Sequence, residues 1–297
     1  GVVELLSELG FLVYHTGQLC GYVAKTFRNN TKLVVSLSPV RVGLCHSVTD
    51  DERMRDEFAF DYDLLRELTE TSGAPGYEDR VRAVVRREFD GVVDEIRTDA
   101  MGNVVGTVRG DADYEVAVAA HMDEIGFMVR HVDEDGFLAL DALGGWDPRI
   151  LKAQRVTVHA EDGDLTGVIG SVPPHLLDDD EDDPSVEDVH VDLGLSAEEA
   201  SERVAVGDLV TMEQTTTRVG EHVTGKALDD RVCLFAMLEA AKRVDDPGVT
   251  VHFCATVQEE LGLRGAAALG VDLDPDLAVA LDVTVAQDVP AVEKEAD

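Results

Sequence analysis

An α/β fold with a smaller β-rich unit inserted into it is what this sequence predicts, and three observations carry that expectation. From Met54 onward, apolar strand-like runs alternate with amphipathic helical segments. Between about residues 127 and 222 the texture changes to short alternating stretches such as "RVTVHA" and "LTGVIGSV", separated by glycines. After that the alternation of helix and apolar strand returns. The chain's 297 residues, 44% of them apolar, suffice for one large domain or two smaller ones with real cores.

The first segment differs in composition from the rest. Residues 1–53 hold five acids and five bases, leaving 56 acids and 20 bases after them. That asymmetry marks 1–53 as an extension, with a small appended module as the alternative. The opening "GVVELLSELGFLVYHTG" has no basic start and carries Glu4 and Glu8, which argues against a signal peptide. No apolar run approaches the roughly 20 residues that span a bilayer, so a cytoplasmic protein is expected.

In "GYEDRVRAVVRREF", Val81, Val84, Val85 and Phe89 fall on one helical face. "VVGTV" and "YEVAVAAHMD" read as strands, the second so apolar that it belongs at the centre of a sheet. In "DDRVCLFAMLEAAKRV", Leu234, Met237, Leu238 and Ala241 recur at helical spacing, and "GVTVHFCATV" and "DLAVALDV" supply two more buried strands. The run "DDDEDD" at 178–183 lacks the spaced ligands and glycine of a calcium loop and reads as a solvated loop.

The formal charge of −36 repels nucleic acid and anionic membranes, so neither is an expected partner. The acids are spread along the chain, as on a surface adapted to high salt, and a halophilic source is the expectation. Cys20, Cys45, Cys233 and Cys254 form no C-x-x-C pair, so neither a disulfide frame nor a thiolate metal site is indicated.

Chemistry concentrates where apolar strands stop. "VAVAAHMDE" ends in His121 and Asp123, "CATVQEE" in Glu259 and Glu260, and "VALDV" in Asp282, while Asp229 in "GKALDDR" stands at the entry to a helix. Ligands of open α/β sheets gather at the carboxyl ends of strands. Singly, such residues are more often caps or hydrogen-bond partners. Together, one imidazole and several carboxylates suit hard or borderline divalent ions such as zinc, cobalt or manganese. Side chains alternate along a strand but the backbone turns at its end, so Glu260 can ligate while Glu259 acts as general base. Two ions about 3.5–4 Å apart, bridged by Asp229, would activate a shared water. Asp123 fits an acceptor that orients His121.

The strings "AHMDEIGFMV", "GGWDPRIL", "GKALDDRV", "VQEELGLRGA" and "ALDVT", in this order, resemble the dinuclear metallo-aminopeptidases that build tetrahedral (TET-type) particles. That group includes glutamyl and deblocking aminopeptidases, and some of its members carry an endoglucanase label. The resemblance runs from about Met54 to the C-terminus. It implies a zinc-peptidase-like mixed sheet flanked by helices, in two parts (54–126 and 223–297), with a β-rich dimerisation domain at 127–222 between them. It also implies homo-oligomeric dimers assembling into a dodecamer, peptide substrates, and two divalent ions per subunit. Carried over by motif, His121 and Asp282 hold one ion, Glu260 the other, Asp229 bridges them and Glu259 is the base that helps a metal-activated hydroxide attack the peptide bond.

One departure stands out. The family's fifth ligand is a histidine near its C-terminus, and no histidine follows His252 here. The expectation is a haloarchaeal chain truncated at its C-terminus, whose second metal site lacks that histidine. The alternatives are a metal-dependent deacylase of N-acyl amino acids, which shares the ligand chemistry, and an impaired subunit acting only in assembly. Sugar hydrolysis is disfavoured, because it needs two carboxylates flanking a glycosidic bond rather than a ligand set around a histidine.

The charge argument is open to a direct check. Raising KCl from about 0.1 M to about 1 M shortens the screening length from about 10 Å to about 3 Å, so the melting temperature is expected to rise. A melting temperature that falls over that range would refute a salt-adapted surface.

Overall fold

The computed structural model describes residues 60–171, 185–220 and 222–283, and the backbone alone of 27–29 and 32–37. The remainder of the 1–53 extension, the acidic run at 178–183 and the last part of 223–297 lie outside the described residues.

A mixed seven-stranded sheet forms one layer. Its strands are β1 (Phe27–Asn29), β2 (Lys32–Leu37), β3 (Glu95–Thr98), β4 (Val104–Val108), β5 (Ala112–His121), β14 (Val249–Thr256) and β15 (Leu277–Leu281). Their order is β1-β2-β15-β5-β14-β4-β3, so β5 sits in the middle. The strands β2, β15, β5 and β14 are mutually parallel, while β4 and β3 complete one edge antiparallel.

Alternation along the central strands sends side chains to two faces. Val116, Val118 and Ala120 of β5, with Val251, Phe253 and Ala255 of β14, enter the main core. There they meet α1 (Tyr62–Glu70), α2 (Asp79–Phe89) and α4 (Leu228–Ala241), which bring Leu65, Leu68, Val81, Val85, Phe89, Leu234 and Leu238. On the opposite face, among the described residues, Ala117 and Cys254 pack with Leu269 of α5 (Arg264–Asp272). Asp61 caps α1 by accepting the Leu64 N–H at 2.9 Å. All four apolar positions expected on α2, and all four on α4, are buried.

Between β5 and α4 the chain builds a closed antiparallel barrel. It consists of β6 (Gly126–Val132), β7 (Leu138–Leu143), β8 (Arg155–Ala160), β9 (Gly163–Ser171), β10 (Val189–Asp192) and β11 (Leu209–Met212), in the order β10-β7-β6-β11-β8-β9. The helix α3 (Ala197–Arg203) lies between β10 and β11 in the chain, and the hairpin of β12 (Thr217–Val219) and β13 (His222–Thr224) leads back to α4. Phe127, Val129, Leu138, Leu140, Val156, Val158, Ile169 and Val210 fill its interior. The chain enters and leaves the barrel at adjacent strands, since Val210 of β11 pairs with Phe127 of β6. Both connections lie at the end of β5 that carries His121, and this seats the barrel beside that edge of the sheet. The two bodies are tied by Arg80 to Asp164 (2.7 and 2.8 Å) and by Ser72 to Thr211 (3.0 Å).

Among the described residues no helix is long and apolar enough to cross a membrane. Phe253 is fully buried in the middle of β14. Phe253→Ala is expected to lower the unfolding free energy by about 3–5 kcal/mol, read from the urea midpoint. A change below about 1 kcal/mol would mean that the core does not close over this strand.

Candidate metal centre

Three strand ends set the site. Thr256 of β14 pairs with His121 of β5, and Ala280 of β15 pairs with Ala119 on the other side. Following that second register onward brings Asp282 level with His121. Beyond Thr256 the chain turns at Gln258, which takes a left-handed backbone (φ 52°), an uncommon conformation for a residue with a side chain.

That turn aims two successive N–H groups at one anion. Glu259 and Glu260 donate to Asp123 Oδ1 (2.9 Å) and Oδ2 (3.0 Å). Glu78 supports the same turn, its Oε1 accepting the N–H of Gln258 at 3.1 Å and of Gly76 at 2.7 Å. Glycine is required at 265, where a Cβ would lie 2.2 Å from the Val257 carbonyl oxygen. Only so can α5 begin this close to the end of β14.

His121 is 3% exposed. Its Nδ1 lies 3.1 Å from the main-chain oxygen of Asp123 and 3.4 Å from its carboxylate. Asp123 therefore orients the ring chiefly through its backbone, and spends its carboxylate on the glutamate turn. On the other side, His121 Nε2 lies 3.3 Å from Asp229 Oδ1 and 3.9 Å from Glu259 Oε2.

The entry to α4 is irregular: Ala227 is left-handed (φ 54°), and Asp229 and Asp230 have non-helical dihedrals. Asp229 is thus no helix cap. Its side chain is 58% exposed and reaches His121, while Asp230 turns inward. Asp230 Oδ2 accepts the N–H of His121 at 3.2 Å, and Oδ1 is buried with no partner.

Two triplets of ligand atoms converge, each mutually within 4.8 Å: His121 with Asp230 and Asp282, and His121 with Glu259 and Glu260. The sequence-based expectation put His121 and Asp282 on one ion and Glu260 on the other, with Asp229 bridging them. The structure brings Asp230 to His121 and Asp282, with Asp229 next to it at His121 Nε2.

One imidazole here faces six carboxylates, and the proton affinities respond. Burial works against a charged His121, but hydrogen bonds to Asp123 and Asp229 outweigh it and push its pKa up to about 11. Asp123 is disfavoured by burial yet held below the usual carboxylate range by His121 and the two backbone N–H groups. Burial, with Asp282 adding, pushes Asp230 up to about 8. Burial, with Asp229 and Glu259 adding, pushes Glu260 up to about 7. Glu259 and Asp282 are raised for the same reasons, burial first and neighbouring carboxylates after it. The cluster thus retains protons that a divalent cation would replace.

The donor chemistry fits such a cation: imidazole nitrogen, carboxylate oxygens, and an unpartnered Asp230 Oδ1. The neighbouring Cys233 contributes no thiolate, because burial pushes its pKa far up.

A cavity of about 440 Å³ opens beside Asp229 and Glu260, between the sheet edge and the barrel. Trp146, Ile150 and Met212 supply apolar wall. Trp146 stacks on Phe127 at 4.4 Å and donates its Nε1–H to the Gly126 carbonyl oxygen at 2.9 Å. Gly144 keeps room for the acid, since a Cβ there would lie 3.2 Å from Glu260 Oε2 and 2.5 Å from Ile125.

His121, Asp123, Asp229, Glu259, Glu260 and Asp282, all named from sequence, come together. Missed were Asp230, and the buried charges Glu124, Lys226 and Arg231 beneath it. The doubled acid in "ALDDR" repeats the pattern of "QEE" and was the available signal for Asp230.

Comparison with known proteins gives concordant matches. The family model "M42 glutamyl aminopeptidase" matches residues 102–297. A lysyl aminopeptidase of Pyrococcus furiosus is 38% identical over 234 residues, 76% of this chain and 67% of its own. An aminopeptidase structure from the archaeon Desulfurococcus kamchatkensis is 39% identical with a TM-score of 0.74, covering 78% of this chain and 65% of its own. The TET1 peptidase of Pyrococcus horikoshii, described as able to assemble into a tetrahedron or a large octahedral shell, is 34% identical with a TM-score of 0.69, covering 78% and 72%. The chain thus spans about two thirds of the length of the relatives it matches.

The raised groups set a pH dependence for the metal-free protein. Asp230 (about 8) and Glu260 (about 7) titrate above their unfolded values of 3.8 and 4.5, so their contribution to stability is complete below about pH 4 and lost as pH rises through 7 to 8. His121 has the same sign, losing its contribution between about 6.5 and 11. The melting temperature of the chelator-stripped protein is expected to fall from about pH 5 to about pH 9, and saturating zinc to remove that fall. A stripped protein that gains stability across the window would contradict this charge balance.

Proposed function

Because the chain belongs to the M42 glutamyl aminopeptidase family, we propose that it is a metal-dependent aminopeptidase, hydrolysing N-terminal residues from peptides at the His121–Asp282 edge of the sheet. The observation that carries this reading is the meeting of His121 with Asp230 and Asp282 on one side and Glu259 and Glu260 on the other. They come from the ends of three strands, β5, β14 and β15, and from the entry to α4.

His121, Asp282 and Glu260 would hold two divalent ions, zinc or cobalt with manganese also compatible, and the Asp229–Asp230 pair would stand between them. When bound, the ions polarise the scissile carbonyl and lower the pKa of a water. Glu259 would act as the general base. Its peptide N–H is fixed on Asp123 and its Oε2 stands 3.9 Å from His121 Nε2. Without bound ions, burial and nearby carboxylates raise its proton affinity above that of an ordinary glutamate; as the base it would take a proton from water and pass it to the departing amine. Asp123 touches His121 and the glutamate turn, and its role is positioning. The excess of carboxylates attracts the cationic N-terminus of a peptide, and the cavity walled by Trp146, Ile150 and Met212 receives a substrate side chain.

The assembly is read in the same way. The TET1 relative assembles into closed shells, and a homo-oligomer built from dimers through the barrel is the corresponding proposal for this chain.

Glu259→Gln preserves shape and removes the base. Hydrolysis of aminoacyl-anilides is expected to drop in kcat by about 10²–10⁴-fold, with the same metal content per chain by elemental analysis. Full activity in that variant would remove Glu259 from the chemistry.

A further inference from the structure

Directly beneath the ligand loop lies a second cluster of charges, all of them buried. Glu124 follows Asp123 in sequence and is 2% exposed. Its N–H donates to the Gly73 carbonyl oxygen at 2.9 Å, and its Oε1 accepts the Gly73 N–H at 3.0 Å. Lys226 Nζ donates to both of its carboxylate oxygens, at 2.6 and 2.8 Å. Arg231, fully buried, donates from Nη1 to the carbonyl oxygens of Leu68 and of Thr71, the latter at 3.0 Å, and its Nη2 lies 4.0 Å from Glu124 Oε1.

The two cations bracket a short segment. Between Lys226 and Arg231 run the left-handed Ala227 and the non-helical Asp229 and Asp230. Sparsely populated backbone conformations persist only where the surroundings over-determine them. Both acids of this segment reach His121: Asp230 Oδ2 accepts its N–H at 3.2 Å and Asp229 Oδ1 lies 3.3 Å from its Nε2, while the Arg231 N–H donates to the Ala227 carbonyl oxygen at 3.2 Å. Buried ion pairs contribute little net stability relative to apolar replacements, so a different role must explain this cluster.

We propose that Glu124, Lys226 and Arg231 form a two-ended clamp that sets Asp229 and Asp230 against His121, making all three positioning residues for the metal centre. The inference rests on the reading of that centre as a metal site. Lys226 fixes the start of the segment to the residue next to Asp123, and Arg231 fixes its end to the C-terminal turn of α1. The same Glu124 is joined to Asp123, which holds the glutamate turn. Both halves of the ligand set are thereby referred to one buried carboxylate. Glu124 and Lys226 also border the cavity beside Asp229, so the competing role is a charged wall that selects substrate.

The test compares wild type with E124Q, K226M and the double variant E124Q/K226M, which removes both members of the Glu124–Lys226 pair at once and leaves Arg231 its carbonyl partners on Leu68 and Thr71; K226R, which keeps both charges of the pair, is the variant to compare where the double variant does not fold. Chelator competition on the stripped proteins reads zinc affinity, alongside melting temperature and anilide preference. A clamp predicts zinc binding weakened about 10–100-fold in the double variant, with the order of preference among anilides unchanged. Wild-type zinc affinity in the double variant, with only the melting temperature moved, would overturn the clamp. So would unchanged affinity with a preference shifted towards acidic residues in E124Q. A wild type that binds no zinc would sink the metal reading instead. Amide hydrogen exchange on the stripped protein then decides the clamp by itself: the Arg231 N–H is expected to exchange at least about tenfold faster in the double variant than in wild type, relative to barrel amides, and equal rates would refute it.

Discussion

The carboxylate of Asp123 is the fixed point on which the site's geometry depends. It occupies the concavity made by two successive N–H groups, those of Glu259 and Glu260, while its backbone oxygen holds His121. One residue therefore ties the end of β5 to the turn after β14. Without it the two glutamates would lose the anchor that turns them towards the imidazole, and the left-handed Gln258 would keep only the support of Glu78. The adjacency of the two glutamates follows from the same arrangement: both N–H groups are needed to satisfy a buried anion, and their side chains are delivered to the edge of the sheet together.

Parallel pairing does the rest of the placing. Because β14, β5 and β15 run in the same direction, their carboxyl ends share one edge, and polar residues that follow three separate apolar runs arrive in one place. The barrel is inserted at that same edge, so Trp146, Ile150 and Met212 wall the space next to the carboxylates. The site is thus open on the side of the barrel and closed on the side of the core.

Much of this was legible in the chain. Apolar runs that end in His, Glu or Asp announce both the strand and its polar end, as β5, β14 and β15 show, and helical periodicity placed Val81, Val85, Leu234 and Leu238 in the core. What stayed hidden was non-local or conformational. Asp229 reads as a ligand at a helix entry, but spacing cannot report that the backbone around it is non-helical. Asp230 was passed over because only the fold shows its unpartnered oxygen directed into burial. Glu124 and Lys226 read as two unremarkable charges separated by 102 positions, and a lysine between glycine and alanine carries no periodic signal that it is enclosed.

The insertion of the barrel has a consequence for how the molecule assembles itself. His121 and Asp229 meet across 108 residues of chain, a long loop whose closure is entropically slow. The barrel shortens that search. Once β6 and β11 pair, Phe127 lies against Val210, and the path from His121 to Asp229 shortens to residues 122–126 on one side and 211–228 on the other. In the folded protein the barrel holds two chain ends side by side, so the ligand set is kept together by a neighbouring body that contributes none of its members.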